Sequence, residues 1–98
     1  MYKAIILPFA QLDIKESASW YNKQQKGLGK RFTAQIREKI RFIQKNPNTV
    51  FTRYQNTKTA VVDVFPFMIH FSVVDADKLI IISAVFHTSL NPTNWKNR

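Results

Sequence analysis

Two histidines, His70 and His87, are the side chains of this 98-residue sequence best suited to moving a proton near neutral pH, and the chain contains no cysteine. Imidazole is the ordinary proton shuttle of proteins, whereas a thiolate nucleophile, a disulfide framework and a thiolate zinc site are all excluded. With two histidines and no thiol, a metal centre is not expected, and no motif asks for a cofactor. Arg53 stands next to Tyr54 and shortly before Lys58. An arginine there could clamp a phosphate. Each candidate also has a plainer reading: His87 as a ring that pins a loop by hydrogen bonds, Arg53 as a solvated cation, and His70 as a packed residue within an apolar run.

Charge points to the kind of partner. Fifteen Lys and Arg against six Asp and Glu give a formal charge of +9. Such an excess favours polyanionic or acidic partners, namely nucleic acid or an acidic protein segment, over simple solubility. The cations are unevenly spread, because Lys23, Lys26, Lys30, Arg31, Arg37, Lys39, Arg41 and Lys45 share their segment with one acid, Glu38. Lys30, Arg37, Arg41 and Lys45 are therefore the expected partner-binding cations.

These residues need elements to hold them. Residues 2–7 alternate as a strand that Pro8 closes. Ile14, Ala18 and Tyr21 recur at helical spacing, which predicts a first helix over about 10–25, with Asp13 and Glu16 in its early turns. Gly27 and Gly29, the only glycines, predict a tight connection. A second helix is expected from about 29 to 46, with Phe32, Ile36, Ile40 and Ile43 as its buried stripe and Asn46-Pro47-Asn48 as its stop. Strands follow: a weak one within Val50–Gln55, another over Thr59–Phe65, a third from Phe67 to Val74, a turn at Asp75-Ala76-Asp77-Lys78, and a nearly continuous apolar strand over Leu79–Phe86 that reads as central.

The order β-α-α-β-β-β is an α+β pattern. It can bury its helical stripes only by packing the helical hairpin on one face of an antiparallel sheet. A hydrophobic share of 45% supports one packed core, and the length suits a single domain over 1–98. The N-terminal apolar stretch is too short to span a bilayer, so no membrane association is expected and a cytoplasmic location is.

Phe65-Pro66-Phe67 followed by Ile69 and Phe71, a turn, an apolar strand, and Val85-Phe86-His87 leading to Asn91-Pro92 and Trp95 resemble the RelE/ParE toxin superfamily. Ala10, Asp13-Ile14, Trp20-Tyr21, the Gly27 to Gly29 turn, Phe32 and the Asn46-Pro47 stop resemble its helical hairpin. The resemblance covers nearly the whole chain. It implies the toxin of a type II toxin–antitoxin, or plasmid-stabilisation, system that inhibits growth and is neutralised by an acidic antitoxin. It also implies one of two activities: cleavage of messenger RNA on the ribosome, the leading one because it is frequent in the superfamily, or, as the alternative, inhibition of DNA gyrase without cleavage. A degenerate member that only binds its antitoxin is the third alternative.

Cleavage needs proton-transfer groups and cations around the phosphate. Where the resemblance implies lysines, this sequence has Thr59 and Val61; where it implies an arginine, it has Met68; and the arginine-rich run after the last strand reads His87-Thr88-Ser89-Leu90. His87 and Arg53 are what remains of a catalytic set, and Trp95 is expected to close the edge of the core.

Overall fold

The computed structural model describes residues 1–48, 52–54 and 56–89, with only the backbone described for 52–54. Its elements are β1 (Lys3–Ile6), α1 (Pro8–Gln24), α2 (Leu28–Lys45), β2 (Thr52–Tyr54), β3 (Thr57–Val61), β4 (Phe67–Val74), a 3-10 turn (Asp75–Asp77) and β5 (Leu79–His87). They form one five-stranded sheet in the order β1-β5-β4-β3-β2. Both helices lie on one face of it, and β5 is indeed central, paired on both sides. The sheet is antiparallel except at β1, which runs parallel to β5. The chain between them holds both helices and β2 to β4, far more than the minimum connection that a parallel pair needs.

Several boundaries move for local reasons. Pro8 opens α1 instead of merely closing the strand before it, since its fixed φ and missing N–H suit the first helical position. The strand expected over Thr59–Phe65 runs from Thr57 to Val61. The Val62 amide continues the ladder to the Phe67 carbonyl at 2.8 Å, and the pairing then ends as the chain turns through Val64, at φ of 75°. The two glycines also differ in role. Gly27 holds φ of 88° at the start of α2, but Gly29 lies inside the helix, where a Cβ would run into the Ala18 carbonyl oxygen of α1. Gly29 is therefore needed for close helix contact, not for a left-handed turn.

Burial follows the predicted stripe. Phe32, Ile36, Ile40 and Ile43 are buried with Phe67, Ile69, Phe71, Ile80 and Ile82 in one core. At its centre Phe32 meets Phe65 at 5.3 Å and 88° and Phe67 at 4.9 Å and 67°, the edge-to-face arrangement that ring quadrupoles prefer. Alternation sends Met68 and His70 to the other face, where Met68 joins Ala84 and Phe86 in a second small cluster. His70 is fully buried there, edge-on to Phe86 at 5.1 Å. A bulge makes this two-sided burial possible. His70 pairs with Ala84 but Phe71 pairs with Ile82, so Ser83 is the extra residue, and Val85 returns to the helix side alongside Ile82.

Side chains from the helices finish the sheet's edges. The Asp13 carboxylate accepts the Val85 amide at 3.0 Å, beyond the point where β1 stops pairing with β5. On the outer edge of β1, the Gln44 side chain donates to the Tyr2 carbonyl and the Gln11 side chain to the Ile6 carbonyl. Among the described residues no helix is long and apolar enough to cross a membrane.

Candidate functional site

His87 is the last residue of β5 and is exposed. Its ring stands edge-on to Phe67, 5.3 Å between centroids, and forms one wall of a pocket of about 450 Å3 with Ser17, Trp20, Tyr21 and Pro66. The Ser89 amide donates to His87 Nδ1 at 3.1 Å, and the Ser89 hydroxyl lies 2.7 Å from the same atom. A backbone N–H can only donate, so Nδ1 accepts and the neutral ring carries its proton on Nε2. In this tautomer Nε2 offers a hydrogen-bond donor to its surroundings. Tyr21 adds a phenol whose pKa burial pushes above its ordinary value. Among the described residues no carboxylate and no cation lines this pocket.

Strand pairing shows what surrounds Val61, Thr59 and Met68, the places where the sequence resemblance implies cations. Val61 pairs with Met68, and Met68 with Phe86, which makes one row across β3, β4 and β5. Thr59, His70 and Ala84 make the next row. Met68 and Phe86 are packed together, and Val61 is exposed. Neither row holds a lysine or an arginine. Lys58, on β3, donates to the Pro47 carbonyl at 3.3 Å and ties the end of α2 to the sheet. Arg53 has its backbone in β2, but its side chain and that of Tyr54 lie outside the described residues, as does Trp95. Among the described residues no three His, Asp or Glu side chains stand close enough to share a metal ion.

On α2 the four named cations fall into line. Lys30, Ala34, Arg37, Arg41 and Lys45 step by four, three, four and four, and all five are exposed on the side opposite the buried stripe. They extend over about 22 Å. Lys39 is different: it lies half-buried between the Asp63 carboxylate, 3.8 Å away, and the face of Phe42, 5.1 Å from its centroid. The electropositive face is therefore narrower than the eight cations of the segment.

Two depressions border this face, between α1 and α2. One, about 380 Å3, is lined by Lys15, Ala18, Ser19, Asn22, Gly29, Lys30 and Thr33. The other, about 220 Å3, is lined by Ile6, Gln11, Ile14, Thr33, Ile36, Arg37 and Ile40. The sequence reading missed Lys15 and the polar side chains of α1 here, as it missed Ser17 and Trp20 at the His87 pocket. One signal was available. Trp20 lies outside the Ile14–Ala18–Tyr21 stripe, together with Phe9 and Leu12, and all three are exposed, so α1 is apolar on two faces.

No protein-family model matches the chain, and no curated protein does. Solved structures do. A chain of the chromosomal ParDE TA system from P. aeruginosa superposes with a TM-score of 0.78 at 18% identity, over 91% of this chain and 98% of that one. The intact E. coli RelBE toxin–antitoxin complex gives 0.68 at 11%, over 93% and 100%. The isolated E. coli RelE toxin gives 0.68 at 10%, over 99% and 95%. The fold is that of the RelE/ParE toxin superfamily.

Proposed function

We propose that this protein is the toxin half of a toxin–antitoxin pair, that it is restrained by an acidic protein partner, and that it inhibits growth by binding its target rather than by cutting RNA. The fold, shared over almost the whole chain with a ParDE component and with RelE, supports the first part. The cationic face of α2 supports an acidic partner. The observation that carries the last part is the row Val61–Met68–Phe86, apolar throughout, where cleavage would require cations around a phosphate. His87 does not replace them, because one exposed imidazole is no substitute for several cations around a phosphate. Inhibition of DNA gyrase needs no catalytic set, and the superposition on the ParDE component is better than on RelE.

Ribosome-dependent cleavage is the second reading, with His87 as its proton-transfer group and Arg53 on the phosphate. Its support is the likeness to RelE. Expression from an inducible promoter in the cytoplasm separates the two readings. The expected result is filamentation, a DNA-damage response and lost supercoiling by purified gyrase, with ribosome-bound messenger intact. Cleavage of messenger RNA by the purified protein on ribosomes, with gyrase unaffected, would reverse the choice.

A further inference from the structure

The second apolar face of α1 consists of Phe9, Leu12 and Trp20, which are 64%, 46% and 58% exposed. Trp20 follows Phe9 by three helical turns. At about 100° per residue the two side chains project within about 20° of one line, roughly 16 Å apart along the axis. One end of this strip is a knob, the Phe9 ring. The other end is a hole, the apolar pocket of about 450 Å3 that Ser17, Trp20, Tyr21, Pro66, Phe67 and His87 line. A knob and a hole that fits it, carried on one helix face, make that face complementary to a copy of itself.

Charge favours the same occupant. The chain carries +9, and α2 holds six cations against one acid, so a second copy is repelled from that side. On α1, Asp13 and Glu16 balance Lys15 and Lys23. Asp13 is turned inward to the Val85 amide, which leaves Glu16 as the exposed charge between Leu12 and Trp20. A polyanion would find no excess of cations here. Area agrees as well: with about 150–250 Å2 for an aromatic side chain, the three residues expose roughly 350 Å2 of apolar surface. At the usual apolar share of an interface this corresponds to roughly 1,200 Å2 buried between two copies, the lower end for a specific contact.

We infer that two copies of this chain pair through α1, antiparallel about a two-fold axis, with the Phe9 ring of each seated in the pocket between Trp20 and His87 of the other. An axis crossing α1 between residues 13 and 15 brings Phe9 of one copy level with residues 17–20 of the other. Leu12 then lies close to the axis. The inference is independent of the toxin reading and gives the His87 pocket an occupant that needs no chemistry from the imidazole.

Sedimentation equilibrium of the full chain tests it. Wild-type protein should pass from monomer to dimer with a Kd on the order of 10–100 µM, as befits a contact of this size. Phe9→Ala, which empties the knob, and Ser17→Trp, which fills the hole, should each weaken association by about 30-fold or more, because every dimer loses two anchors. Mixed together, these two variants should bind each other more tightly than either binds itself, since Phe9 of the Ser17→Trp copy still finds an open pocket. Circular dichroism checks both folds, and His87→Trp fills the pocket from its exposed wall should Ser17→Trp not fold. Glu16→Gln should tighten the dimer, and so should a rise in salt from about 50 to 500 mM, because both relieve repulsion between like charges. The proposal is overturned by a chain that stays monomeric at 500 µM (about ten times the expected Kd), by association that salt abolishes, by assembly beyond the dimer, or by mixed variants that associate no better than each alone.

Discussion

The carboxylate of Asp13, in the second turn of α1, accepts a hydrogen bond from the Val85 amide 72 residues further along the chain. The bond takes the place of a strand that β1 does not supply, because β1 ends at Ile6 opposite Ile82. Asp13→Ala should therefore destabilise the fold by about 1.5–3 kcal/mol, the range for hydrogen bonds to charged groups. Asp13→Asn, which keeps an acceptor oxygen, should lose less. Urea denaturation of the three proteins makes the comparison.

Gly29 should tolerate no side chain. Gly29→Ala places a Cβ against the Ala18 carbonyl, part of a rigid helix backbone, and should cost about 1–3 kcal/mol or more as the helices are forced apart. Gly27→Ala meets nothing in space and is penalised only for its φ of 88°. Its cost should be nearer 1 kcal/mol. Thermal denaturation should rank the two variants in that order.

Ile40 is buried at 7% exposure between α2 and the sheet, so Ile40→Ala should cost roughly 2–5 kcal/mol. A loss below about 1 kcal/mol would mean that α2 does not press this residue into the core.

His87 should behave as a held ring and not as a base. In nitrogen-15 spectra of the neutral imidazole, the proton should sit on Nε2, as the Ser89 amide requires. His87→Ala should leave growth inhibition essentially intact. If a folded His87→Ala protein instead loses on the order of 100-fold in RNA cleavage, the residue transfers a proton, and the binding-only reading fails.

Alkaline pH should weaken the fold through two tyrosines. The Tyr2 phenol is raised above 10.0 chiefly by its hydrogen bond to Asp75, 2.7 Å away, then by burial and by the Asp75 charge. Burial raises Tyr21. A phenol with a higher pKa folded than unfolded keeps its proton better in the native state, so its stabilisation is complete below pH 10.0 and is lost as pH rises through the folded value. Stability followed from pH 8 to 11 should fall at the upper end, and the Tyr2→Phe, Tyr21→Phe double variant should fall less (a window set about the ordinary tyrosine value).

The helices were the most legible part of the sequence, because Phe32, Ile36, Ile40 and Ile43 mark a 3.6-residue period that no strand could use. The apolar strands β4 and β5 were readable from run length and alternation. What escaped was decided by contacts between distant residues. Ser83 looks like any strand residue, yet it is the bulge that lets Ile82 and Val85 share a face. The end of β3 depends on the backbone of Val64, a β-branched residue at positive φ that no propensity would place there. Of the site, the cations of α2 were visible as composition. The groove beside them was not, since Lys15 and Lys30 become neighbours only when Gly29 meets Ala18.

The parallel pairing of β1 with β5 also sets a timetable for biosynthesis. β1 finds its partner only after Leu79–Ile82 have been made, more than seventy residues later, or about 4–15 s at ordinary translation rates. During that interval the first strand has no sheet to join, and the isoleucine face of α2 has no floor. Both apolar faces stay uncovered over that interval, and the sheet cannot be completed before Leu79–Ile82 have been made.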